Sequence, residues 1–106
     1  MPTLKIYVDA KEAISEADLE LLNDVVITGL EAEGEQALVT VIPDATVNLS
    51  GCYVELTCRN KPNRTPELRQ RLVEKLDETA RRMFGISEPI RVRIIMVDED
   101  HLSAVN

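Results

Sequence analysis

Aromatic residues are scarce in this chain: one Phe, two Tyr and no Trp, 3% of the whole. That argues against a surface working by stacking on bases or sugars, and it leaves any core to aliphatic side chains. Histidine is scarcer still. His101 stands alone, so the three or four His/Cys ligands of an ordinary zinc site have no donor set. The two cysteines, Cys52 and Cys58, fall in an alternating segment, where six strand steps of roughly 3.3 Å hold them about 20 Å apart, too far to pair. Positive charge is short as well: 12 Lys+Arg against 19 Asp+Glu leave a net charge of −7. Nucleic acid and anionic membranes are thus not expected as partners, and any anion must be caught locally. No run of 18 apolar residues occurs and no basic segment precedes an apolar one at the N-terminus, so neither a membrane span nor a signal peptide is expected. A cytoplasmic location follows as the expectation. Asp98, Glu99 and Asp100 are consecutive acids without the spaced oxygen ligands of a calcium loop, and read as a solvated end.

What is present suffices for one domain spanning 1–106, since 44% of the 106 residues are hydrophobic. Residues 3–9 alternate, with Leu4, Ile6 and Val8 on one face and Thr3, Lys5 and Tyr7 on the other. Ser15 with Asp18 reads as a capping box, and Leu19, Leu22, Val26 and Leu30 recur at helical spacing, predicting a helix over 16–32 stopped by Gly34. Residues 37–42 are β-branched and close at Pro43-Asp44, a strand ended by a turn signal. Fifty residues on, the pattern returns. Cys52, Val54, Leu56 and Cys58 alternate as Pro2, Leu4, Ile6 and Val8 do, and Thr65 repeats Ser15 as an N-cap. Pro66 suits the first helical position, Leu68, Leu72, Leu76, Ala80 and Met83 form an apolar stripe, and Gly85 stops the helix. A last strand covers 90–97. The expected fold class is α+β: two βαβ pseudo-repeats (2–49 and 52–106) making a four-stranded sheet with both helices on one face. The other face would carry Thr3, Lys5, Tyr7, Tyr53, Glu55, Thr57, Arg91, Arg93, Ile95 and Val97, a mixture that suits solvent or a subunit interface.

Several segments carry a more specific resemblance. Pro2 heads the first strand directly after Met1; Asn63-Arg64-Thr65 steps into the second helix; Val41-Ile42-Pro43-Asp44 ends the second strand; Arg91-Val92-Arg93-Ile94-Ile95 is followed by His101-Leu102. In order and spacing these resemble the tautomerase superfamily, whose longer members, such as 5-carboxymethyl-2-hydroxymuconate isomerase and macrophage migration inhibitory factor, fuse two βαβ units of the 4-oxalocrotonate tautomerase type and form trimers. The resemblance implies an isomerase moving a proton in an enolisable 2-oxo or 2-hydroxy acid, with no cofactor, no metal, a small carboxylate substrate and a homotrimer as the working unit.

The residue types suit that chemistry. Freed of Met1, Pro2 presents a secondary α-amine, a group whose pKa near 8 would be lowered toward neutrality by nearby cations or desolvation. A base so placed can shuttle protons, and the ring fixes its direction. Arg59, Lys61 and Arg64 form a cluster with no acid among them. That cluster suits capture of a substrate carboxylate, with Arg59 and Lys61 as binding residues; by the resemblance Arg64 grips the carboxylate, Arg91 polarises the carbonyl oxygen, and Leu102, where the bacterial tautomerase has an aromatic, is a further substrate-binding position. Ile14 occupies the position in the first half that Arg64 holds in the second, so one site per chain is expected. A sister chemistry (hydration, dehalogenation or decarboxylation) would need an acid such as Asp98 or Asp100 to position water near Pro2, and a non-catalytic binding module is the third alternative. His101 reads as a surface residue.

Overall fold

The structure, a computed structural model, describes residues 1–11 and 14–103. Its elements run β1 (Thr3–Val8), α1 (Glu16–Gly29), β2 (Leu38–Ile42), β3 (Cys52–Arg59), α2 (Pro66–Phe84) and β4 (Arg91–Val97), followed by a short 3-10 turn at Glu99–His101. The sheet order is β2-β1-β3-β4. Each strand–helix–strand unit makes a parallel pair, β1 with β2 and β3 with β4, while β1 and β3 join the units antiparallel at the centre.

Period-2 alternation decides which side chains meet the helices. Leu4, Ile6, Val8, Cys52, Val54, Leu56 and Cys58 are buried against Leu22, Val26 and Leu30 of the first helical segment and Leu68, Leu72, Leu76 and Ala80 of α2. Both cysteines are free and buried. The opposite sheet face is uncovered, as the strand patterns require, and there the Tyr7 and Tyr53 rings stack with centroids 6.1 Å apart. Where the helices cross, Gly29 lets α1 approach α2 so closely that a Cβ there would stand 2.5 Å from Leu72 Cδ1.

Both N-caps act as the sequence implies: Ser15 Oγ accepts from the Asp18 amide at 3.1 Å and Thr65 Oγ1 from the Leu68 amide at 3.2 Å. Pro66 opens α2, and Gly85 ends it in the left-handed region at φ 67°. The first helix stops at Gly29, three residues short of the expected end. Glu31 takes a left-handed φ of 54°, its amide donating to the Thr28 carbonyl while that of Ala32 donates to Ile27. This is a Schellman closure built on a non-glycine residue, and it turns the chain before Gly34 is reached.

Candidate active site

Pro2 lies just before β1, buried, with its carbonyl accepting the Leu38 amide at 2.8 Å, so the first residue of β2 ties down the chain end. A proline suits this place because a strand's first position has no ladder bond for its missing N–H. Met1, by contrast, is exposed. The antiparallel register sets Thr3 opposite Thr57, which brings the far end of β3, and with it the loop into α2, beside Pro2.

That loop is built to hold Arg64. Its amide donates to the Lys61 carbonyl at 2.9 Å, and Asn63 Nδ2 reaches the Leu30 carbonyl at 3.4 Å, anchoring the turn to the end of the first helix. Arg64 is only 5% exposed. Its Nη1 donates to the Arg59 carbonyl at 2.7 Å, while its buried Nε has no hydrogen-bond partner among the described residues. The guanidinium lies near Cys58: burial pushes that thiol's pKa up, and the adjacent positive charge of Arg64 opposes the shift. Among the described residues the ion pairs are Arg59–Glu99, Arg81–Asp77 and Arg82–Glu78, and Arg64 takes part in none. A buried cation without a counter-ion carries a desolvation cost of several kcal/mol, which an incoming anion would offset.

Pro2, Met1, Glu35, Arg59, Lys61 and Arg64 enclose a pocket of about 100 Å³. Four residues singled out from sequence, Pro2, Arg59, Lys61 and Arg64, thus converge. Arg59 is already committed, its Nη1 lying 3.1 Å from Glu99 Oε1, and Asn60 Nδ2 donates to Asp98 at 3.1 Å. The acidic triplet is therefore tied to the end of β3 through two of its members. Neither Asp98 nor Asp100 lines the pocket. Leu102 follows the 3-10 turn, 40% exposed and outside the pocket lining.

Arg91 does not join this pocket within one chain. It pairs in register with Tyr53, four positions along β3 from Thr57, a separation of about 13 Å. Its position on β4 also places it on the uncovered face, where it lines a separate cleft of about 460 Å³ with Tyr7, Tyr53, Glu55 and Arg93. Glu55 lies opposite Arg93 and accepts from the Tyr53 hydroxyl at 3.0 Å, and among the described residues it forms no ion pair with Arg91. Glu35 is the pocket residue that sequence reasoning missed. Its place at the pocket follows from the hydrogen bond between the Leu38 amide and the Pro2 carbonyl, which no local pattern signals.

No protein-family model and no curated protein matches the chain in sequence. Solved structures do match its backbone. A macrophage migration inhibitory factor homologue from Prochlorococcus marinus superposes with a TM-score of 0.75 at 16% identity, over 91% of this chain and 89% of that one. Macrophage migration inhibitory factor from Oncomelania hupensis gives 0.82 at 16% identity, covering 99% and 79%. A wild-type fused 4-oxalocrotonate tautomerase (4-OT) asymmetric trimer gives 0.79 at 16% identity, covering 97% and 92%. The chain has the tautomerase fold, shared with these macrophage migration inhibitory factor and 4-OT structures. At such identities the likeness is one of fold.

Proposed function

We propose that the protein is a tautomerase-type isomerase acting on a small enolisable 2-oxo or 2-hydroxy acid, with the α-amine of Pro2, freed by removal of Met1, as general base. The observation that carries this reading is Arg64: a buried, unpaired guanidinium lining one small pocket with Pro2. In this reading the substrate carboxylate occupies Arg64, whose planar fork suits two oxygens at once. The amine takes the enol O–H proton and the ammonium so formed delivers a proton to carbon, leaving the keto acid and the free amine. Arg64, the buried cation there and without a counter-ion among the described residues, disfavours a second positive charge beside it, the condition for a base working near neutral pH.

The reading extends to assembly. We propose a homotrimer whose uncovered sheet faces meet neighbouring copies, supported by the trimeric state of the fused 4-OT neighbours and by Ile95, 43% exposed on that face. Arg91, remote from Pro2 in its own chain, would then act at a neighbour's pocket or at the interface itself. Light scattering at micromolar concentration should give a mass near three chains. No helix among the described residues is long and apolar enough to cross a membrane, and a cytoplasmic location is proposed with the rest.

The test of the base is enol-to-keto conversion of phenylenolpyruvate by two preparations whose N-termini are fixed by mass spectrometry, one beginning at Pro2 and one retaining Met1. The Met1 form should be inactive, because an amide nitrogen has no basic lone pair. Equal turnover by both would overturn the assignment.

A further inference from the structure

The pocket at Pro2 contains one residue at odds with the rest of its lining. Among six lining residues three are cations, yet Glu35 shares the wall with them. It forms no ion pair with any of them among the described residues. Its position is fixed all the same. The Glu35 amide donates to the Ala32 carbonyl at 3.0 Å, the Ala37 amide to Asn23 Oδ1 at 2.8 Å, and the Leu38 amide to the Pro2 carbonyl at 2.8 Å. The backbone is thus pinned on both sides of Glu35, and its carboxylate is held at the pocket without a direct ion pair.

The charges in the pocket fall into two groups by depth. At the buried end stands Arg64, unpaired. At the exposed rim stand Lys61 and Glu35, whose charges cancel, while Arg59 is neutralised by Glu99 at 3.1 Å. One carboxylate is therefore well served and a second is not: an acid seated on Arg64 would have its far end in a rim of zero net charge, where another carboxylate would lose hydration and gain little Coulomb energy. The small volume, about 100 Å³, keeps the far end from evading the rim.

We infer that Glu35 is the specificity-determining residue of this pocket and restricts it to monocarboxylates, excluding dicarboxylates of the same length. The inference rests on the proposed role of Arg64 as the carboxylate anchor, and is independent of whether Pro2 moves a proton. Replacing Glu35 by glutamine would leave Lys61 uncompensated and open the rim to a second carboxylate; replacing it by lysine would make the rim attract one.

The test is binding of two unreactive acids of equal length, crotonate and fumarate, measured by calorimetry or NMR titration on the chain beginning at Pro2. Wild type should bind crotonate the more tightly, by about tenfold, the size expected when a second carboxylate is partly desolvated at the rim without a compensating charge. The ratio should approach unity in Glu35→Gln and invert in Glu35→Lys, while Arg64→Ala weakens both acids in every background. A ratio unchanged by either Glu35 variant, tighter binding of fumarate by wild type, or binding of neither acid would overturn the inference. Enol turnover measured on the same samples separates the two readings: loss of turnover with the ratio pattern intact sinks the Pro2 base alone, and turnover with an unresponsive ratio sinks Glu35 alone.

Discussion

Replacing Arg64 separates a ligand-binding arginine from a structural one, provided that the substitution keeps the packing. Arg64→Ala deletes two things at once, the charge and a buried side chain's bulk, and it leaves the Arg59 carbonyl without its 2.7 Å donor. Arg64→Met keeps most of the volume and removes the charge alone. In the unliganded protein the guanidinium sits 5% exposed with one unpartnered nitrogen and no counter-ion, so its loss has opposing effects on stability. The hydrogen bond to the carbonyl forfeits about 1.5 to 3 kcal/mol, the range for a charged donor. Relief of a buried, unpaired charge returns a similar few kcal/mol. Arg64→Met should therefore unfold at nearly the same urea concentration as wild type, and Arg64→Ala somewhat earlier because of its cavity.

Function should respond quite differently. If the substrate carboxylate fills the vacant coordination of Arg64, either variant loses a charged hydrogen bond, about 1.5 to 3 kcal/mol, or roughly ten- to a hundredfold in kcat/KM. Arg64→Lys should recover only part, since an ammonium restores charge without the fork. The assay compares an acidic enol with its neutral ester across wild type and the three variants. An equal loss on both substrates, or a collapse of stability in Arg64→Met with activity per folded molecule unchanged, would refute the reasoning and make Arg64 a structural plug.

Three further outcomes are expected. Pro2→Ala, with its N-terminus verified, should lower enol turnover far more than stability, because alanine keeps an amine but loses the ring's fixed direction; unchanged kcat would remove Pro2 as base. Gly29→Ala should destabilise the fold by about 1 to 2 kcal/mol despite a helix-propensity gain approaching 1, because its Cβ would meet buried Leu72 at 2.5 Å, and a urea midpoint at or above wild type would show that the helices can separate without cost. The third outcome concerns pH. Burial pushes the Cys52 thiol up to about 11 from 9.0, so above pH 9 the unfolded chain releases a proton that the folded chain retains. Stability should then fall by about 2 to 3 kcal/mol between pH 9 and 11 and level off beyond, with Cys58 adding to the same trend; equal pH slopes for wild type and Cys52→Ala would contradict it.

The fold was largely legible because its signals are local. Leu4, Ile6 and Val8 state the strand period, and Thr65-Pro66 with Gly85 bracket a helix that the structure places at Pro66–Phe84. The end of the first helix is not legible because the left-handed residue is Glu31, a type that does not advertise the conformation, while the visible glycine lies three positions later. The site was legible in parts. Side-chain parity already placed Arg91 and Arg93 together on the uncovered face, but its distance from Pro2 depends on strand register, which the separate strand patterns do not specify. The burial of Arg64 could not be read at all, since a loop residue has no periodicity to betray which way it faces. Glu35 was passed over for a similar reason: its relevance depends on the Leu38–Pro2 hydrogen bond, a long-range fact.

Arg64 is where this sequence breaks the rule it otherwise keeps. Among the described residues the rest of the buried set is aliphatic side chains, two thiols and a threonine whose hydroxyl donates to the Lys75 carbonyl at 2.7 Å, each either indifferent to water or satisfied without it. A net charge of −7 would make an exposed arginine easy to neutralise, yet this one is withdrawn from the surface. Local departures of this kind concentrate at functional sites, because an interaction left incomplete in the free protein is what a ligand can complete. The same acidity repels anions at long range, so the pocket cannot rely on electrostatic steering and must hold its anion through contact. Contact at Arg64 is available only to a group small enough for a pocket of about 100 Å³ and able to bring its own negative charge to the buried end.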